Sequence, residues 1–118
     1  MFAPTFAFID PFGFSGLPFS LIHKLLTHTS CEVFINFMVD SVNRFLNHPE
    51  EKNKDHINQL VGLDVAERIE RSSDRVDDLR KIYQQQLKSS ATFVRYFEMK
   101  DNRNRTIYFL FFASKNSL

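Results

Sequence analysis

Apolar residues fall into four short runs along this chain, with a long polar stretch between the second and third in which apolar residues recur three or four apart. The first run, Thr5-Phe6-Ala7-Phe8-Ile9, is almost continuously apolar and is stopped by Asp10-Pro11. It predicts a buried parallel strand, ended by a proline that has no N–H to give a ladder. Residues 12 to 18 hold two glycines and a proline, which is loop chemistry. Residues 19 to 27 place Phe19, Ile22, Leu25 and Leu26 at helical spacing and predict a short amphipathic helix. Residues 32 to 38, Glu-Val-Phe-Ile-Asn-Phe-Met, are a β-branched and aromatic run, hence a second strand. Strand, helix and strand at this spacing make a βαβ unit with a parallel pair.

Residues 40 to 46 predict a second helix, closed by Asn47, His48 and Pro49. Residues 50 to 88 are polar and helix-favouring, with Val65, Ile69, Val76, Leu79, Ile82, Tyr83 and Leu87 mostly three or four apart. Ser72-Ser73-Asp74 interrupts this pattern, because Ser and Asp cap helices well and sit poorly inside them. The expectation is a helix over 55–71, kinked at Gly62, and another over 74–88. Residues 91 to 99 and 106 to 114 are strand-like, joined by a polar turn in which Asp101 and Asn102 tolerate left-handed backbone, so they predict an antiparallel hairpin. Ile107-Tyr108-Phe109-Leu110-Phe111-Phe112 is apolar throughout and predicts a strand inside a sheet, covered on both faces.

The fold class is therefore α/β: a parallel βαβ unit, then helices over about 50–90, then an antiparallel hairpin, with helices expected on both sheet faces. At 118 residues this is at most one domain. It reads as a partial domain, since the chain opens in its first strand and a buried first strand ordinarily has neighbours on both edges. The apolar content is concentrated in rings, 14 Phe with no Trp, which calls for a thick core. Net charge is +1, so no global field draws the protein to nucleic acid or an anionic membrane. Cys31 is alone, which excludes an intramolecular disulfide and a thiolate metal site and makes the reducing cytoplasm the default. No signal peptide and no membrane span is expected.

Three segments together, Phe8-Ile9-Asp10-Pro11-Phe12-Gly13, Val33-Phe34-Ile35-Asn36-Phe37 with Asn43-Arg44-Phe45, and Ile107 through Asn116, resemble the three-Cys-motif partner protein family over nearly the whole chain. The resemblance implies the C-terminal half of a Rossmann-like, class I methyltransferase fold. It further implies an N-terminal half, with a strand and a glycine-rich turn that hold S-adenosylmethionine, lying outside this chain. Within such a fold the strand before Asp10 is the fourth and is expected to pair with an absent first strand. The cofactor then belongs to the full-length protein and to no residue here, and a three-Cys-motif protein is the expected partner.

The resemblance also assigns a substrate side. In amino-methyltransferases an Asp or Asn followed by two prolines and an aromatic accepts hydrogen bonds from the target amine while the ring stacks on the base. Asp10-Pro11-Phe12-Gly13 stands at the carboxyl end of a strand, where α/β sheets bind ligands. Asp10 is the candidate acceptor and Phe12 the candidate ring, although Phe12 replaces the second proline and Gly13 the aromatic. The structural reading is that Asp10 caps a turn and Phe12 packs beneath it. Asn36 interrupts an apolar strand and must find partners or cost on the order of 1 to 3 kcal/mol. It is a second substrate-side candidate. Arg44 is a third, against the simpler reading of a salt bridge with Asp40 at i to i+4 spacing.

Elsewhere the residues offer less. His23 and His28 are five apart and do not share a helical face, and no Cys cluster completes a metal site. Cys31 reads as a packed thiol. Arg95, Lys100, Arg103 and Arg105 surround the hairpin turn among Glu98 and Asp101, which reads as a solvated turn rather than a phosphate site. Neither Gly-x-Gly-x-x-Gly nor Gly-x-x-x-x-Gly-Lys occurs. Two function classes follow: a methyltransferase-like protein of which this chain supplies the substrate side, and a non-catalytic interaction protein with the same fold. A mobile-element accessory protein acting on nucleic acid is a third, which the near-neutral charge does not favour.

Overall fold

The computed structural model describes residues 5–9, 18–27, 31–39 and 51–115. The elements are β1 (Thr5–Ile9), α1 (Phe19–Leu26), β2 (Cys31–Phe37), α2 (Glu51–Val61), α3 (Ala66–Glu70), α4 (Arg75–Ser90), β3 (Phe93–Lys100) and β4 (Thr106–Ser114). They form an α/β fold around a four-stranded mixed sheet in the order β1-β2-β4-β3. β1 and β2 are parallel, with Ala7 beside Val33 and Ile9 beside Ile35. β4 runs antiparallel to both β2 and β3. The strand whose middle is apolar at every position thus lies inside the sheet, as that composition requires.

Burial alternates along β2, with Cys31, Val33, Ile35 and Phe37 buried and the residues between them only partly so. These side chains join Phe109, Phe111 and Ala113 of β4 to form the sheet side of the core. Ile22 and Leu26 of α1, Ile69 of α3, and Leu79, Tyr83 and Leu87 of α4 supply the helical side. Each such side chain contributes about 1.5–3 kcal/mol through burial. At the centre, the Tyr83 ring lies 4.4 Å from Phe37, 5.3 Å from Phe111 and 5.8 Å from Phe19, centroid to centroid.

Coverage of both sheet faces is not what the described residues show. Their helices share the core of one face, while the other carries Phe6 and Phe8 at 68% and 70% exposure and Phe97 at 62%. A run that is apolar at every position hides the period-two alternation, so the sequence did not distinguish a strand with one covered face from one with two.

The 50–90 region is helical as expected, with a different division. α2 ends at Gly62, whose φ of +82° is left-handed. A Cβ there would come within 3.0 Å of Phe19 and 2.9 Å of Gln86. The Asn58 side-chain oxygen then accepts from the backbone N–H of Val65 and of Ala66, both at 2.9 Å, and starts α3. The single kinked helix expected over 55–71 is therefore two helices, because a glycine with positive φ stops a helix where it would only bend with negative φ. Asp74 does cap α4, its carboxylate accepting from the Asp77 N–H at 3.1 Å. In the hairpin the left-handed residue is Asn104, φ 65°, and not Asp101 or Asn102. Asp101 instead accepts from the N–H groups of Arg103 and Arg105 at 2.8 and 2.9 Å. The helix expected over 40–46 lies outside the described residues.

Candidate functional site

Asp10, Pro11, Phe12, Gly13 and Arg44 lie outside the described residues, whereas the frame that carries them and the candidate Asn36 are described. β1 ends at Ile9, in register with Ile35, so the carboxyl end of the parallel pair is fixed one residue before Asn36. Ligands of open α/β sheets bind at such an end. Asn36 pairs with Leu110 of β4 and belongs to the face that the described helices leave open.

The Asn36 amide oxygen is buried and has no hydrogen-bond partner among the described residues. A buried carbonyl left without a donor costs on the order of 1 to 3 kcal/mol, so the position is retained at some expense to stability. An amide oxygen in that state can accept from a group that carries an N–H or O–H. Neighbouring it on the open face is a row of rings that runs across the sheet: Phe8 is in register with Phe34, Phe34 with Phe112, and Phe112 with Arg95. Phe34 lies 5.0 Å from Phe112 and 5.2 Å from Phe6. At about 200 Å² per phenylalanine side chain, the exposed parts of Phe6, Phe8 and Phe97 alone present on the order of 400 Å² of apolar surface. That matches the largest apolar patch of an ordinary monomer, which is often functional. The one sequence signal of this patch is the excess of Phe in a short chain.

The remaining groups sort into structural roles. Cys31 is buried, and burial followed by the neighbouring Glu32 carboxylate pushes its thiol above the ordinary range, which makes it unreactive. The Tyr83 hydroxyl is buried without a partner among the described residues, and desolvation alone holds it far above the usual phenol range. Two of the four hairpin cations are paired locally, Arg105 with Asp101 at 3.2 Å and Lys100 with Glu98 at 3.7 Å, while no ion pair forms at Arg95 or Arg103 among the described residues. These side chains stand at an exposed turn. Arg80 bonds Asp77 and Gln84 and stands 4.9 Å over the Tyr96 ring, which ties α4 to β3.

His23 is the residue whose partner the sequence did not reveal. Its Nδ1 lies 2.5 Å from the Ser90 hydroxyl, 67 residues away at the end of α4. Among the described residues no cluster of three or more His, Cys, Asp or Glu can hold a metal ion, and no helix is long and apolar enough to cross a membrane. Compared with protein-family models, curated proteins and solved structures, the chain matches none of them.

Proposed function

We propose that this chain is the substrate-side portion of an S-adenosylmethionine-dependent, methyltransferase-like protein of the three-Cys-motif partner type, working in the cytoplasm. The observation that carries the reading is the sheet: a parallel β1-α1-β2 unit, then helices, then an antiparallel hairpin whose second strand lies against β2. That is the order the resemblance implies for the later half of a class I methyltransferase fold. In it, the carboxyl end of β1 leads into Asp10-Pro11-Phe12-Gly13, and the unpartnered Asn36 oxygen lies at the same end of the sheet. Asp10 and Asn36 are then acceptors for a donor group on the substrate, Phe12 its stacking ring, and Arg44 a positioning cation.

The residues present do not fit the cofactor itself. The chain has three glycines, Gly13, Gly16 and Gly62, in no Gly-x-Gly-x-x-Gly arrangement, and Gly62 terminates a helix rather than following a strand. In this reading S-adenosylmethionine is held by sequence outside this chain, and no step of methyl transfer is assigned to these residues. The test is isothermal titration of the full-length protein with S-adenosylmethionine. Saturable heat supports the reading, and absence of heat under several buffer conditions overturns it.

A second reading, a non-catalytic interaction protein acting with a three-Cys-motif protein, is favoured by the open aromatic face. Its test is co-purification of the full chain with a purified three-Cys-motif protein, compared with the Phe8→Ser, Phe97→Ser double variant. Retention by the native chain and loss in the variant supports it; equal retention of both, or of neither, counts against it.

A further inference from the structure

We propose that a cavity at the opposite end of the sheet from Asn36 is a binding site for a phosphate group, on a small phosphate monoester. The cavity, about 260 Å³, is lined by His23 of α1, by Lys88, Ser89 and Ser90 at the end of α4, and by Thr92 and Lys115. Lys115 follows Ser114, which is in register with Glu32 near the start of β2 and with Phe93 at the start of β3. The site is therefore remote from the carboxyl end of the parallel pair, and the proposal goes beyond the methyltransferase reading and is independent of it.

Charge is the first reason. Three lysines elsewhere have a carboxylate beside them: Lys54 pairs with Glu70 at 3.3 Å, Lys81 with Asp77 at 2.9 Å and Lys100 with Glu98 at 3.7 Å. Among the described residues no carboxylate lines this cavity, so Lys88 and Lys115 border it without a described acidic side chain beside them. The carbonyl end of α4 amounts to roughly half a negative charge. Lys88 alone more than offsets that, which leaves Lys115 as surplus positive charge at the cavity.

Construction is the second. Ser90 is 6% exposed, and its hydroxyl is held 2.5 Å from His23 Nδ1. In the tautomer in which Ser90 donates to Nδ1, the ring proton sits on Nε2, which is then a donor held in place by the Ser90 contact. Ser89 donates to the Gln86 carbonyl at 2.5 Å, so the first hydroxyl is spent on the helix end while the second orients the imidazole. Two ammonium groups and an imidazole N–H make a donor set suited to a tetrahedral oxyanion, with Lys acting as a point charge toward phosphate. The volume is several times the roughly 30 Å³ share of one water, which gives room for a phosphate with a small organic substituent.

The experiment is titration of the full chain at constant ionic strength with glycerol 3-phosphate, inorganic phosphate and, as control, chloride, followed by amide and imidazole NMR shifts. Saturable shifts at His23 and Thr92 with glycerol 3-phosphate are expected, at least tenfold weaker in Lys88→Gln and in Lys115→Gln. Lys54→Gln should titrate as the native chain does. Tighter binding of inorganic phosphate than of glycerol 3-phosphate would overturn the assignment to a monoester. Linear shifts matched by chloride, or saturation unchanged in both single variants, would overturn the site altogether. Each variant is read only after its amide dispersion matches the native spectrum, and the two single substitutions supply the result independently of each other.

Discussion

Phe6 of β1 stacks on Phe34 of β2 at 5.2 Å between centroids and 26° between planes, on the sheet face away from the main core. Two rings packed together across a parallel pair while one of them stays 68% exposed is an unusual use of phenylalanine in an α/β sheet, whose parallel strands are ordinarily covered on both faces. The cost of changing the exposed rings of this face, Phe8 and Phe97 among them, should therefore be small in the isolated chain. Phe8→Ser and Phe97→Ser are expected to alter unfolding free energy by less than about 1 kcal/mol each. Phe37→Ala, at a fully buried ring, should cost about 3–5 kcal/mol. Urea unfolding of the three variants checks this, and a loss above about 2 kcal/mol at Phe8 would mean that the face is already covered in solution.

Asn36 supplies a prediction of opposite sign. Its oxygen is buried without a donor, so replacing the amide by an apolar group of similar volume removes a desolvation penalty. Asn36→Leu should be neutral or raise stability by about 1 kcal/mol in urea unfolding. If Asn36 anchors a substrate, the same variant should lose binding while it gains stability. A clear destabilisation would show that the amide has a partner that holds it in the folded protein.

How far the sequence reached depends on whether the deciding physics is local. β1 and β4 fall at the positions their apolar runs predicted, 5–9 and 106–114, because strand composition is read residue by residue. The Asp74 cap was legible for the same reason, since a carboxylate reaching an N–H three residues ahead is a local bond. Asn36 was legible as a polar residue in an apolar run. The contact between His23 and Ser90 was not, because it joins residues 67 apart through the packing of α1 against the end of α4. Nor was the open face, since Phe6 and Phe8 are as apolar as the buried Val33 and Ile35 and only the placement of the helices separates them.

Gly62 shows a limit of another kind. A glycine in a helical pattern is compatible with a kink and with a stop, and the sign of φ decides between them. At φ +82°, with a Cβ position 3.0 Å from Phe19, both backbone and packing exclude a side chain. Gly62→Ala should lower stability by more than about 1 kcal/mol. Ala elsewhere on the exposed surface of α2, as in Gln59→Ala, should be nearly silent by comparison. Equal effects in thermal unfolding would mean that the turn relaxes to admit a methyl group.

The hairpin turn should be acid-sensitive through Asp101. The backbone N–H of Arg105, then that of Arg103, donate to its carboxylate, and the Arg105 side chain adds a charged bond, so its pKa lies below the ordinary carboxylate value. A carboxyl group held lower in the folded than in the unfolded state stabilises the fold above its unfolded pKa of about 3.9. That contribution is lost as pH falls through the lower, folded value. The carboxylate stands at the surface and is partly exposed, so the effect is confined to the turn and does not extend to the core. Amide exchange at Arg103 and Arg105 should accelerate, relative to the intrinsic rate, as pH is lowered below that of the free carboxylate, while β4 amides inside the sheet stay protected. Asp101→Ala should show the fast exchange at neutral pH and no further acid response. If the variant still titrated in this range, the carboxylate of another residue would have to be the group that holds the turn.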